Sequence, residues 1–459
     1  MKNKKLFVTG IVIFSAVVVL ATFLLLWYWG DTYPQFDGTF NAEFEIPGLA
    51  DGACPQGIAN WETKEFKVET ENEDGTKNTE TYEGDEYFFI SSYFKNAPSR
   101  IYVVGKTKGY IGYVTMKNVG GDGYYDGHCG GVATNGYFFW VCSTEGEDGY
   151  VYCAKTTDKT YDYKIGREII VKAHENGEID LTSKFNANGR AAFLYYYRDE
   201  RYNESYNELQ GDKLYVGEFS RGNAYKTDES HQGETINGDY NTAFVYEYSV
   251  NPSTTMTNET NITGLNCISS ERLREQDRNR VPEVQNIYSI PGEIQGFARI
   301  HKTKTMTNTD GSTRTELDDK LVLSQSYGLK NSKLYYYDWS EINPQQSYQS
   351  GTVSSSNYYK TFRNFNKDEK YFEYKGITTT TGAPATENNL NRSAMKVFFV
   401  DSGSLLKEYS IPSMSEGLCV SGDRVFVLFE SGANKYKLFV RRVLKEVYSF
   451  VPSEDLSGK

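Results

Sequence analysis

"YSIPGEIQGFA" (288–298) has two echoes in this chain, "YSIPSMSEGLC" (409–419) and "FEIPGLADGACPQGIA" (44–59). Aligned on the glycine, each carries an Ile-Pro pair (Ile46-Pro47, Ile290-Pro291, Ile411-Pro412), a turn, and a Gln or Glu ahead of Gly (Gln56-Gly57, Gln295-Gly296, Glu416-Gly417). Proline removes a ladder donor and ends a strand, and glycine admits a close backbone neighbour where the next strand opens. One strand therefore ends and another begins nearby, three times over.

The sequence after each glycine repeats as well. "YFFISSYFKNAPSRIYVV" (87–104), "KLVLSQSYGLKNSKLYYYD" (320–338) and "RVFVLFESGANKYKLFVRR" (424–442) each read as a β-run, a small polar loop with Ser, and a second β-run. "HCGGVATNGYFFWVCSTEGEDGYVYC" (128–153) is a fourth copy with Gly131 in the glycine position. A fifth runs from "LYVGEFSRGNAYKTDESH" to "NTAFVYEYSV" (214–250), preceded by "NGRAAFLYYY".

Repeated four-stranded units that each open on a glycine-marked inner strand predict an all-β fold, a β-propeller, in which radial stacking buries both faces of every blade. Unequal spacing follows from insertions at one turn. Residues 61–85 and 302–319 each place Asp-Gly (Asp74-Gly75, Asp310-Gly311) between polar, Thr-rich arms, the signature of a β-hairpin. Residues 340–393, rich in Ser, Thr, Asn and Tyr, read as a long insertion or a degenerate blade, so five or six blades are expected. The segment 38–47 is placed to give the last blade its outer strand, which sets the propeller at 38–452 with a tail at 453–459. A two-layer β-sandwich is the rival arrangement. Tyr 38, Phe 26 and Gly 41 against Pro 11 suit many short strands joined by glycine turns.

Ahead of this lies an uncharged run, Leu6–Trp29, whose 24 residues as a helix would be roughly 36 Å long, enough to cross a bilayer. A cleaved signal peptide competes, but its apolar core would be shorter and would end in small residues, whereas this run ends in "LLLWYWG". The reading is one transmembrane helix at 6–29, with Lys2, Lys4 and Lys5 keeping residues 1–5 in the cytoplasm, a linker at 30–37, and the bulk of the chain outside the cell. A formal charge of −12 argues against nucleic acid, which needs a basic surface.

All six cysteines (Cys54, Cys129, Cys142, Cys153, Cys267, Cys419) follow the apolar run, and none forms a C-x-x-C pair, which disfavours a structural zinc or thioredoxin-like site. In "WVCSTEGEDGYVYC" a hairpin centred on "GEDG" would set Cys142 nearly opposite Cys153, a candidate disulfide; the other four are open.

The ordered motifs "CPQGIA", "GHCGGVA", "LYVGEFSRGNAYKTDESH", "LVLSQSYG" and "VFVLFESGANKYK" resemble an uncharacterised family of secreted or membrane-anchored bacterial proteins predicted to be β-propellers, over roughly residues 44–442. The resemblance implies fold and location and little chemistry.

In a propeller, side chains just ahead of each inner-strand glycine converge on the axis. Gln56, Glu293, Gln295, Glu416 and, by the same alignment, His128 are therefore the channel-lining candidates. Such carboxylates and amides have the oxygen chemistry to hold Ca²⁺, or they simply bond the turns and waters of the channel. Weaker candidates are Glu218, a general acid or base if buried near His231, and Asp122 and Asp126 of "GGDGYYDGH", which turn formation explains equally well. His174 and His301 read as ordinary exposed residues. H-E-x-x-H, G-x-S-x-G, Walker A and EF-hand motifs are absent from the sequence. Two functions fit: an extracytoplasmic module binding an unknown protein, peptide or glycan, or a Ca-dependent hydrolase of the lactonase kind in which Glu293, Glu416, His128 and Gln56 cradle the ion. Asn203, Asn258, Asn261 and Asn391 open N-x-[S/T] triplets, but a nucleotide-sugar enzyme does not fit the strand repeats.

Overall fold

The computed structural model describes residues 14–22 and 33–453, apart from 73, 146–147, 188, 200–210, 229–230, 236, 252–261, 268–270, 272–273, 275–280, 343–373, 379 and 386–395. Five blades, each with four antiparallel strands, are arranged around one axis; Glu178–Asp180 adds a parallel fifth strand to the outside of the first and Lys396–Phe399 one to the third. From the axis outward the first is built from Cys54–Thr63, Asp85–Tyr93, Arg100–Gly105 and Gly109–Lys117. The second has Gly131–Thr134, Phe139–Glu145, Asp148–Ala154 and Ser183–Asn186. The third has Ala191–Tyr197, Lys213–Glu218, Ala243–Ser249 and Val284–Ile290, and the fourth Ile294–Ile300, Lys320–Gln325, Ser332–Asp338 and Leu405–Ile411. In the fifth, Ser415–Ser421, Arg424–Phe429 and Glu446–Phe450 take their outer partner from the other end of the chain, Asn41–Glu45, with Glu45 opposite Glu446. That pairing closes the ring.

The repeated phrase now has a physical meaning. Each Ile-Pro ends the outer strand of one blade, and the following glycine stands on the inner strand of the next. Inner strands converge until only hydrogen fits between them: a methyl on Gly57 would lie 2.7 Å from the Gly131 Cα, and one on Gly417 would lie 2.9 Å from the Gly57 Cα. Neighbouring inner strands touch in cyclic order, first to second and round to the fifth and back to the first, so the two-layer sandwich does not occur.

The aromatic richness is spent on the seams. Phe89 meets Phe139 at 5.6 Å between the first and second blades, Phe185 meets Tyr248 at 5.6 Å between the second and third, and Tyr215 stacks on Phe297 at 4.7 Å between the third and fourth. Tyr409 and Phe450 (5.2 Å) join the fourth to the fifth, and Phe426 and Phe88 (4.8 Å) join the fifth to the first. Aromatic pairs of this kind add about 0.5–1.5 kcal/mol each beyond their buried area. The short helix Pro34–Thr39 packs over the seam between the fourth and fifth blades, with Phe40 6.4 Å from Tyr409 and 4.4 Å from Phe450.

Both Asp-Gly ribbons leave the end of the axis where inner strands finish: Phe66–Glu71 pairs with Lys77–Tyr82, and Thr303–Thr307 with Thr313–Leu317. Their tips are the same turn twice. Asp74 accepts from the Thr76 amide and hydroxyl as Asp310 does from those of Ser312, which holds both carboxylates below their ordinary pKa.

Several expectations need correction. The ring has five of the five or six blades expected; of 340–393, which falls between the third and outer strands of the fourth blade, only 340–342, 374–378 and 380–385 are among the described residues. "KYKLFVRR" (435–442) is not a second β-run: the strand after Arg424–Phe429 is Glu446–Phe450, and the intervening residues form a loop of turns. In the Cys hairpin Glu145 pairs with Asp148, which puts Val151, not Cys153, opposite Cys142, and Trp140 opposite Cys153. The two cysteines are buried free thiols. The helix Ile165–His174, lying against the outer strand of the first blade, was not read from the sequence. Among the described residues no helix is long and apolar enough to cross a membrane; of the expected span 6–29, only the helical residues 14–22 are described.

Candidate functional site

At the end of the axis where inner strands begin there is a cavity of about 590 Å³. Its floor follows from one local irregularity repeated round the ring. The pairing of inner with second strand slips between Pro55 and Gly57, Ala191 and Phe193, Ile294 and Gly296, and Ser415 and Leu418. A bulge re-aims the unpaired residue, here toward the axis, so Gln56, Ala192, Gln295 and Glu416 line the cavity together with Gly130 at the matching place of the second blade. Small residues on the second and third blades leave room that the long polar ones on the other three look into.

A second tier comes from the ends of the second strands: Tyr93, Thr144, Phe219, Ser326 and Glu430. Here the fifth blade carries the charge. Glu430 accepts from the Cys54 thiol (2.6 Å) and the Gln56 amide (3.0 Å), and its carboxylate lies 3.3 Å from the Lys435 ammonium, which also donates to the Tyr93 hydroxyl. Burial works to lower the Lys435 pKa, but Glu430 and the hydrogen bonds to Tyr436 and Tyr93 outweigh it and raise it. Burial, then the Glu430 charge, pushes the Cys54 thiol up, so it is a donor and not a nucleophile.

Glu416 differs from every other acid in the cavity. It is 4 % exposed, and its carboxyl has no hydrogen-bond partner among the described residues. Burial first, and then the charge of Glu430, lift its pKa well above the usual carboxylate range, although Lys435 opposes them. The group therefore holds its proton more tightly than an ordinary carboxyl does, which favours its acting as a donor into the cavity.

The remaining candidates fall into place as follows. His128 lies on the cavity wall, its ring 4.3 Å from that of Tyr93. Gly131 does take the glycine position, so Gly130, not His128, is the counterpart of Gln56. The imidazole opens to solvent at the cavity mouth, yet desolvation by the walls lowers its pKa more than Glu430 raises it. Glu293 does not line the cavity; it sits at φ +65° in the turn before its strand and takes a 3.1 Å bond from Arg221. Asp122 and Asp126 are on an exposed loop away from the cavity lining. Glu218 and His231 do meet, buried, at 2.8 Å, but Glu218 also accepts from the Phe244 amide at 3.0 Å and neither lines the cavity. Among the described residues no group of three His, Cys, Asp or Glu is gathered as a metal site.

Sequence reasoning missed Glu430, Lys435 and the tyrosines of the second tier. Their signal was available in the aligned second-strand ends "SSY", "STE", "EFS", "SQS" and "FES", where one position per blade returns to the axis. His301 was also misjudged. At the far end of the axis, beside a depression of about 450 Å³, its Nδ1 lies 3.1 Å from Asp319, which also binds Arg299 (2.5 Å) and Tyr197 (3.0 Å).

Comparison with known proteins finds no family model that matches the chain and no curated relative with significant similarity. The site is therefore read from its own chemistry.

Proposed function

We propose that the chain is a binding module, held at the outer face of a membrane by residues 6–29, whose ligand enters the cavity on the inner-strand entry side. The observation that carries this is Glu416, a buried acid lining a 590 Å³ cavity with no hydrogen-bond partner among the described residues. The burial that raises its pKa favours the protonated carboxyl, and a ligand oxygen that accepts that proton gains a hydrogen bond in a desolvated setting. Gln56 and Gln295 lie at the same level, and Tyr93, Tyr225, Tyr327 and Tyr436 line the wall, with cations over the rings of Tyr93, Tyr327 and Tyr436. Amides and a carboxyl of raised pKa below, with tyrosines around, suit a hydroxyl-rich ligand such as a glycan end.

Thermal shift of the full chain against a panel of oligosaccharides tests this, because a ligand that binds only the native state must raise the melting temperature. A glycan that stabilises the wild-type protein is expected to lose at least about tenfold in affinity in Glu416→Leu, the loss of one charge-neutral hydrogen bond at a desolvated site. Unchanged affinity in the variant, or stabilisation by peptides with none by glycans, contradicts the assignment. Retention of the chain in membranes washed at alkaline pH, and its release when residues 1–30 are deleted, tests the anchor separately.

A further inference from the structure

The loop that replaces the expected strand at 435–442 displays apolar side chains where the rest of the molecule hides them. Leu438 is 89 % exposed and its neighbour Phe439 58 %. The loop is nonetheless ordered by its own backbone: the amides of Phe439 and Val440 both bond the Tyr436 carbonyl, at 2.8 and 3.1 Å. Lys437 and Lys445 are exposed near the pair, while Lys435 and Arg442 of the same stretch are paired with Glu430 and Asp37, in a chain whose formal charge is −12. A cationic loop with an apolar tip on an acidic protein suits a surface that is anionic outside and greasy beneath.

Its position names that surface. Arg442 holds Asp37 at 2.6 Å and lies over the Phe36 ring, so the loop leans on the helix Pro34–Thr39. The chain enters this helix at Tyr33, which is buried and donates to Asn331 at 2.9 Å. Trp29, the last residue of the apolar run, is four residues earlier. Four extended residues reach at most about 14 Å, so a body tethered there has this loop facing the headgroups.

We propose that the loop 434–443 docks on the anionic lipid surface of the membrane, with Leu438 and Phe439 inserted at the acyl boundary. The argument from distance rests on the anchor reading; the exposed apolar pair and its basic flank do not. Docking tips the ligand cavity, whose wall includes Tyr436, toward the bilayer.

The test uses the full chain in nanodiscs of phosphatidylcholine and phosphatidylglycerol, with the environment-sensitive fluorophore NBD attached through Leu438→Cys or, at a ribbon tip on the opposite end of the axis, through Asp74→Cys. Nitroxide-bearing lipid is expected to quench the probe at 438 about threefold more than the one at 74. Equal, weak quenching at both sites overturns the proposal, and a protein partner for the loop would give that result. Co-elution of the chain with the discs reports the anchor independently. Should the chain fail to enter discs, the same probes with phosphatidylglycerol vesicles decide: a blue shift at 438 that Phe439→Ser diminishes supports docking, and no shift refutes it.

Discussion

Glu416 sets the behaviour of the cavity at the scale of single residues. In the unfolded chain its carboxyl ionises near 4.5, while in the fold burial and Glu430 keep it protonated well above that. The native state therefore holds more protons than the unfolded state above pH 4.5, and the contribution of this group to stability falls as pH rises. Replacing it by Glu416→Gln is expected to flatten the decline in melting temperature as pH rises above about 4.5, with no gain near pH 4. A variant whose pH profile parallels the wild type contradicts a raised Glu416 pKa. Thiol chemistry gives a second check. Burial pushes Cys153 up to about 12 and Cys142 higher still, so iodoacetamide at pH 8 is expected to leave both unmodified until denaturant unfolds the chain. Intact-mass measurement before and after unfolding reads this, and any native-state labelling of the pair counts against the packed hairpin.

At the scale of elements, the decisive piece is the crossing from an outer strand to the next inner strand. Its glycine is fixed by the neighbour on the other side of the seam, not by its own turn. Gly57→Ala forces a methyl against the Gly131 backbone at 2.7 Å, and is expected to destabilise by about 1–3 kcal/mol in a denaturant titration. Gly38→Ala, which meets nothing within 4 Å in its helix, is the matched control and is expected to be neutral or slightly stabilising. Equal effects at the two positions would show that the glycines are not packed against each other. Inner strands were legible because this steric demand is written at the same place in four blades; the third blade lacks the glycine and was recognised by its second and third strands. Cavity residues were legible only where they share that register. Glu293 was misplaced because turn length differs between copies, and Cys153 because the hairpin closes one residue earlier than its acidic turn suggested. The helix Ile165–His174 went unseen although Ile165, Ile169, Ile170 and Ala173 fall on one face, since aligning strand repeats leaves the connections between them unread.

For the whole molecule, five seams must close at once, and the last is made by residues from opposite ends of the chain. Function is attached to that geometry: small residues on two blades and long polar ones on three make an off-centre cavity, next to a loop suited to the bilayer. A Ca²⁺ ion held by the native fold would raise the melting temperature by linkage and EDTA would reverse the shift, which thermal scans with each read directly. The loop 434–443 was illegible because its apolar residues mimic a strand, and only the placement of Glu446–Phe450 shows them unused by the sheet. Closure itself has a direct probe. Glu45 and Glu446 are facing Cα partners on antiparallel strands, within the span a disulfide bridges. The native thiols most remote from solvent stay protonated and do not compete. Mild oxidation of the full-length double variant E45C/E446C is expected to cross-link the chain within itself, shifting its non-reducing electrophoretic mobility and raising its melting temperature. A chain that stays uncrosslinked while remaining folded, or that links only between molecules, would contradict a ring closed by its own N-terminal strand.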